Sequence, residues 1–148
     1  MEVFMEKILG SCPSCHVLNK IEATAVKNQP ICGKCKTPLA FHDLVQDITT
    51  SEFDKIVRNS SIPVVVDFWA SWCGPCQQYG PTFQMVSNEY GGVVQFLKIN
   101  TEKNQDLATR LGVRGIPATM MIKDGKITGN IAGAMNYDQL RNWIEQNK

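Results

Sequence analysis

Every cysteine in this 148-residue chain belongs to a Cys-x-x-Cys pair: Cys12 with Cys15, Cys32 with Cys35, and Cys73 with Cys76. Few uses fit that pattern. In a reducing compartment, two thiols at this spacing point to metal ligation or redox exchange before a disulfide framework. The first ten residues, MEVFMEKILG, hold two acids and lack a basic start followed by an apolar stretch. No secretory signal is read there, and the cytoplasm is the expected compartment. The remaining question is which pair does which chemistry.

The chain changes character near residue 40. Residues 1–40 carry four of the six cysteines and three of the seven prolines, with little apolar periodicity. A segment that short rarely buries enough core unaided, and a metal or disulfides usually compensate. Residues 41–148 are read as a second domain. Apolar residues make up 43% and charged residues 20%, which excludes intrinsic disorder. A net charge of +1 offers no basic patch for nucleic acid or an anionic membrane. No run approaches the roughly 18 apolar residues of a spanning helix.

The second domain alternates strand and helix patterns. Leu44–Ile48 reads as a short strand. A helix capped by Thr49, Thr50 or Ser51 runs to Arg58 with Phe53, Ile56 and Val57 on its apolar face. Val64–Trp69 is an apolar run broken only by Asp67, which suits a central strand buried on both faces. Tyr79, Phe83, Val86 and Tyr90 mark one face of a helix that starts after Cys73, is kinked at Pro81 and ends at Gly91-Gly92. Val93–Ile99 is the next strand. Leu107 and Leu111 mark a short helix closed by Gly112. Ala118–Ile122 and Lys126–Ala132 flank Asp124-Gly125, a hairpin signal. Tyr137, Leu140, Trp143 and Ile144 define a last helix. The order βαβαβαββα predicts an α/β fold, a mixed sheet with helices on its faces.

Cys12-Pro13-Ser14-Cys15 and Cys32-Gly33-Lys34-Cys35 are separated by residues 16–31. This falls in the range of zinc ribbons, in which four thiolates close a tetrahedral structural site. One structural Zn²⁺ held by Cys12, Cys15, Cys32 and Cys35 is expected. The alternatives are labile disulfides or free thiols. Cys12–His16 also spells the C-x-x-C-H haem-attachment motif, but that chemistry belongs outside the cytoplasm and leaves Cys32 and Cys35 without a role.

The third pair has different surroundings. Cys73 follows a buried strand and opens a helix, where unpaired N–H groups and the helix dipole stabilise a thiolate, the nucleophile of disulfide exchange. Gly74 and Pro75 keep the turn tight, and Cys76 lies within reach of a mixed disulfide. A second metal site would need two more ligands, and residues 60–148 contain no other Cys and no His. Asp67, alone in its apolar strand, is a candidate buried proton acceptor with Lys98 of the neighbouring strand as its counter-charge. Its bland alternative is a carboxylate pointing to solvent at a strand edge. Ile116-Pro117 marks only a non-helical boundary.

Trp69-Ala70-Ser71-Trp72-Cys73-Gly74-Pro75-Cys76, with Asp67 before it and Arg114-Gly115-Ile116-Pro117 after it, resembles the thioredoxin family over about residues 44–148. With the four-cysteine leader, the whole chain resembles the bacterial thioredoxin-2, or thioredoxin C, class. That resemblance implies a thioredoxin fold with a small N-terminal zinc ribbon. It implies Cys73 as attacking nucleophile, Cys76 as resolving cysteine, and Asp67 linked to Lys98 as proton acceptor. It implies a cis Pro117 facing the disulfide, Ile116 offering backbone groups to an extended substrate, and Trp69 beneath the site. An apolar docking patch would comprise Trp72, Gly74, Pro75, Ile116, Pro117, Ala132, Gly133 and Ala134. Ser71, Asn100-Thr101 and Ala132 depart from the family pattern, with Asn100-Thr101 read as replacing an acidic residue.

The expected activity is protein-disulfide reduction in client proteins, with an NADPH-dependent thioredoxin reductase as electron donor. No flavin or nicotinamide, no nucleic acid and no membrane is expected as a partner, and the chain is expected to be a monomer. The competing readings are a binding module on the same fold and a redox sensor that releases zinc on oxidation. An oxidase or isomerase fits less well with the absence of export and the Gly-Pro dipeptide.

Overall fold

A computed structural model describes residues 7–22, 29–39 and 45–148. The domain boundary expected between residues 40 and 41, together with Leu44 and His42, lies outside the described residues.

Five strands form one sheet: β3 (Gln46–Asp47), β4 (Val64–Trp69), β5 (Gln95–Asn100), β6 (Ala118–Lys123) and β7 (Lys126–Ala132). Their spatial order is β3-β5-β4-β6-β7. The β3–β5 and β4–β5 pairs are parallel, and the β4–β6 and β6–β7 pairs antiparallel. Four helices connect them: α1 (Thr50–Asn59), α2 (Gly74–Ser87), α3 (Gln105–Arg110) and α4 (Tyr137–Asn147). The expected βαβαβαββα order is therefore found over residues 45–148.

The sheet is buried on both faces, which is why β4 reads as a continuous apolar run. Val64, Val66 and Phe68 point into one core with Phe53 and Ile56 of α1 and Leu107 of α3. Val65 points into the other with Tyr79, Phe83 and Val86 of α2 and Leu140 and Ile144 of α4. Successive residues of a strand face opposite sides. Asp67 therefore shares the α2 face with Val65. Helix starts follow capping chemistry. Thr49 and Glu52 form a reciprocal capping box on α1, and Asn136 and Gln139 form one on α4. The β6–β7 turn places Asp124 at φ +52° and Gly125 at φ +76°, the paired positive angles of a tight hairpin.

Three boundaries differ from expectation. β3 is two residues long. α2 ends at Ser87, with Asn88 as its C-cap, rather than at Gly91-Gly92. Tyr90 keeps the apolar phase because it packs into the α2 core from the following turn, 5% exposed. That turn, closed by Val94 N–H to Tyr90 C=O at 3.0 Å, delays β5 to Gln95.

The N-terminal cysteines sit on a small module of its own. β1 (Lys7–Ser11) and β2 (Leu18–Glu22) form an antiparallel hairpin. The module is docked on the larger sheet. The side-chain amide of Gln46 accepts from Ser11 N–H and donates to Ser11 C=O, both at 3.2 Å. Gln95 donates to the carbonyl of Leu9. Leu9 and Leu18 pack against the core under α1, and Ile62, 3% exposed, packs among Cys12, Ile21, Cys32 and Leu39.

Candidate active site and four-cysteine centre

Cys73 and Cys76 form a disulfide with Cα atoms 5.2 Å apart. Cys73 is the N-cap of α2, and its Sγ accepts the backbone N–H of Cys76 at 3.2 Å. Gly74 and Pro75 occupy the first two helical positions, where proline costs no intrahelical bond. The first turn carries no acidic residue, so the positive end of the helix dipole acts on the sulfur unopposed. Both cysteines are 4% exposed and pack with Ala70, Trp69 and Ile116.

Asp67 is 2% exposed, which excludes the solvent-facing alternative. It is in register with Lys98 on β5 and with Thr119 on β6. Burial pushes its carboxyl up to about 7, and the charge of Lys98 opposes that rise. Its Oδ1 is buried without a hydrogen bond. A cavity of about 440 Å³ joins Asp67 to Cys76 and Lys98 and is also lined by Trp69, Gln77 and Pro81. The expected carboxylate, counter-charge and second cysteine thus meet in one space. The Lys98 ammonium lies 5.4 Å from the centre of the Trp69 ring.

The expected docking residues come together around this pair, from three loops. Ile116-Pro117 is a cis peptide. The carbonyl oxygen of Ile116 lies 3.8 Å from Cys73 Sγ, and that of Pro117 accepts Gly133 N–H at 2.8 Å. Trp72 is 72% exposed. Gly74, Pro75, Ala132, Gly133 and Ala134 are exposed, Ile116 is half-buried and Pro117 is buried.

One neighbour was missed in the sequence. Glu102, on the turn after β5, accepts Ser71 N–H at 2.9 Å and Ser71 Oγ–H at 2.7 Å. An acidic side chain does therefore reach this loop, from one position beyond Asn100-Thr101. Asn100 instead ties the turn, its Oδ1 accepting from Glu102 N–H at 2.8 Å. The hydrogen bonds from Ser71 hold the Glu102 carboxyl below its ordinary value.

The other four cysteines are free thiols, and their sulfurs all lie within 4.8 Å of one another. Cys12 and Cys35 approach to 3.5 Å, Cys15 and Cys32 to 3.7 Å. Tetrahedral Zn–S bonds of about 2.3 Å would separate the sulfurs by about 3.8 Å. The two knuckles repeat the same backbone pattern. Cys12 N–H donates to Val17 C=O and His16 N–H to Cys12 C=O; Cys32 N–H donates to Thr37 C=O and Lys36 N–H to Cys32 C=O. His16 and Lys36 stand at φ +63° and +65°. His16 is thus a turn residue, matched by Lys36 in the other knuckle. Backbone N–H groups of Ser14, Cys15 and Lys34 point at the sulfurs of Cys12 and Cys32, each at 3.4 Å. A donor set of four sulfurs braced by N–H groups fits a soft divalent ion, and these four residues could hold one.

A helix-capping Cys-x-x-Cys disulfide beside a buried carboxylate on a central strand defines a thiol–disulfide oxidoreductase. The thioredoxin family signature matches residues 44–146. The chain is 39% identical over 102 residues to thioredoxin of Haemophilus influenzae, covering 69% of this chain and 95% of that one. It is 33% identical over 135 residues to thioredoxin C-3 of Corynebacterium nephridii, covering 91% and 92%. The crystal structure of Malassezia sympodialis thioredoxin superposes with a TM-score of 0.65 at 33% identity, covering 71% of this chain and 91% of that one. The chain belongs to the thioredoxin family and has its fold. It is a thioredoxin-type disulfide oxidoreductase. Among the described residues no helix is long and apolar enough to cross a membrane.

Proposed function

We propose that the chain reduces disulfides in client proteins, with Cys73 as nucleophile and Cys76 as resolving cysteine. The observation that carries this reading is Cys73 at the N-cap of α2, its sulfur receiving the Cys76 N–H at 3.2 Å. The same groups stabilise the Cys73 thiolate in the reduced form. That thiolate attacks one sulfur of the client disulfide; a Cys73–client bond forms and the other client sulfur leaves as a thiolate. The Cys76 thiol passes its proton to the Asp67 carboxylate across the shared cavity. The Cys76 thiolate then attacks Cys73 Sγ. The Cys73–Cys76 disulfide forms, the mixed disulfide breaks, and the second client sulfur leaves. The two client thiolates take up protons, one by way of Asp67. Two electrons have moved from chain to client.

Trp72, Gly74, Pro75, Ile116, Pro117, Ala132, Gly133 and Ala134 are proposed to form the docking patch, with Ile116 next to the reacting sulfur. An NADPH-dependent thioredoxin reductase is the proposed electron donor, in the cytoplasm, with no flavin or nicotinamide on the chain itself. Residues 1–40 are proposed as a zinc-ribbon module and 41–148 as the thioredoxin domain. Zn²⁺ held by Cys12, Cys15, Cys32 and Cys35 would cross-link the two knuckles and take no part in the exchange. Its ligands come from the turn between β1 and β2 and from the knuckle closed by the Ile31–Pro38 bridge, whereas the reacting pair opens α2.

The test is Cys76→Ser with a disulfide client. The variant is expected to accumulate a covalent adduct through Cys73, and Cys73→Ser to accumulate none. An adduct on Cys76 in the Cys73 variant, and none in the Cys76 variant, would reverse the assignment.

A further inference from the structure

Asn19 lies on β2, just past the first cysteine knuckle, and its side chain reaches the second. Its Oδ1 accepts Gly33 N–H at 3.0 Å, inside the turn between Cys32 and Cys35. Its Nδ2 donates to Val17 C=O at 3.3 Å and to Cys32 Sγ at 3.6 Å. An amide side chain offers two hydrogens and an acceptor oxygen, and each of them is engaged here. The partners fix its orientation. Turned over, the oxygen would face a carbonyl and a sulfur, while the NH₂ group faced an N–H.

The sulfur that Asn19 reaches is one of the two buried ones. Cys12 and Cys32 are both 0% exposed, whereas Cys15 is half-buried and Cys35 exposed. Four thiolates bring more negative charge than a divalent ion offsets. Solvent reaches the outer pair, so the buried pair depends on donors from the protein. Cys12 Sγ receives the backbone N–H groups of Ser14 and Cys15, both from its own knuckle. Cys32 Sγ receives Lys34 N–H from its own knuckle and the Asn19 amide from β2. One side chain therefore touches the first knuckle at Val17 and the second at Gly33 and Cys32.

We propose that Asn19 is a positioning residue of the metal centre: it locks the second knuckle to the first, donates to the Cys32 thiolate, and so tightens the hold on a divalent ion. The inference rests on the reading of Cys12, Cys15, Cys32 and Cys35 as the metal ligands. Asn19 is not itself a ligand, since its oxygen is occupied by Gly33 N–H. Residues that hydrogen-bond metal ligands in this way typically carry about 10–100-fold in affinity.

The experiment measures the Zn²⁺ affinity of the reduced full chain by competition with a chromophoric chelator. Asn19→Ala removes both the lock and the donor, and is expected to bind Zn²⁺ about 10-fold or more weakly than the parent. Asn19→Asp keeps an acceptor for Gly33 N–H but presents a carboxylate oxygen to Cys32 in place of the N–H. It is expected to be weakened at least as much. Co²⁺ loading supplies a second readout, the thiolate-to-metal charge-transfer band. A hydrogen bond lowers the energy of the sulfur lone pairs, so its loss is expected to move the band to longer wavelength in both variants. A residue that served only the fold of the hairpin would leave the band in place. Parent-like Zn²⁺ affinity in Asn19→Ala, or an unmoved band, overturns the proposal. Should Asn19→Ala not fold, either result in Asn19→Asp overturns it equally. A parent chain that takes up no Zn²⁺ removes the metal reading itself and this proposal with it, whereas a parent and variants that bind alike remove the proposal alone.

Discussion

Replacing Asp67 by Asn separates what this side chain does for the reaction from what it does to the fold. Burial pushes its carboxyl from the ordinary 3.8 up to about 7, with Lys98 opposing. A rise of roughly three units corresponds to about 4 kcal/mol, at about 1.4 kcal/mol per unit. The folded chain holds the proton more tightly than the unfolded one. Below about pH 4 both states are protonated and stability is at its full value. Between about pH 4 and 7 the unfolded chain has lost the proton and the folded chain keeps it, so stability falls. Above about pH 7 both are ionised and the loss is complete. Asparagine carries no such proton. Asp67→Asn is therefore expected to match the parent near pH 4 and to exceed it by about 4 kcal/mol near pH 8, a rise in Tm of about 10 °C. Urea unfolding of the oxidised chain across that range, followed by tryptophan fluorescence, reads the difference. Parallel stability curves for parent and variant would refute the argument, because the carboxyl would then cost the fold nothing when it ionises. On the proposed mechanism, in which Asp67 takes the Cys76 proton, the same variant is expected to slow client reduction. On that proposal Asp67 weakens the fold at neutral pH and speeds the chemistry, a site-specific compromise.

Two further outcomes follow from the packing. Ile62 belongs to the loop between α1 and β4 but is buried among Cys12, Ile21, Cys32 and Leu39. Ile62→Ala is expected to cost about 2–4 kcal/mol in urea unfolding and, on the proposed zinc-loaded protein, to speed release of the metal to a chelator in a colorimetric assay, because Ile62 packs among Cys12 and Cys32. Gly129 lies under α4, where an added Cβ would meet Asn147 Oδ1 and come within 3.0 Å of the Trp143 ring. Asn147 is held by its own bond to the Trp143 carbonyl at 2.7 Å. Gly129→Ala is expected to cost about 1–3 kcal/mol of stability by overpacking, measured by thermal unfolding, with client reduction unchanged.

The parts of this molecule that were legible are those whose cause is local. Asp124-Gly125 announces the hairpin because its two positive φ angles suit few other residue pairs. Asp67 stands out because one carboxylate in an apolar run has no cheap explanation, and the structure buries it on the face shared with Cys76. The four N-terminal cysteines announce themselves because two knuckles at that spacing have one compact solution, and their sulfurs converge. The end of α2 was misread because Tyr90 meets the core whether it leaves from a helix or from the turn after it, and periodicity records only that it meets the core.

What was not legible depends on partners far apart in the chain. Gln46 looks like one more polar residue beside a short strand, yet its amide reads both backbone groups of Ser11. Glu102 is one acid among fourteen until the β5–α3 turn brings it to Ser71. Thr119 is the clearest case. In Ala118-Thr119-Met120-Met121-Ile122 it passes for a β-branched strand residue, and Tyr79 passes for a helix-face aromatic. Each reading is right about the element and silent about the hydroxyl. Only the register of β4 with β6, set by the whole sheet, puts that hydroxyl opposite Asp67. Local sequence therefore singles out the buried carboxylate, whereas the residues placed beside it are chosen by long-range strand pairing.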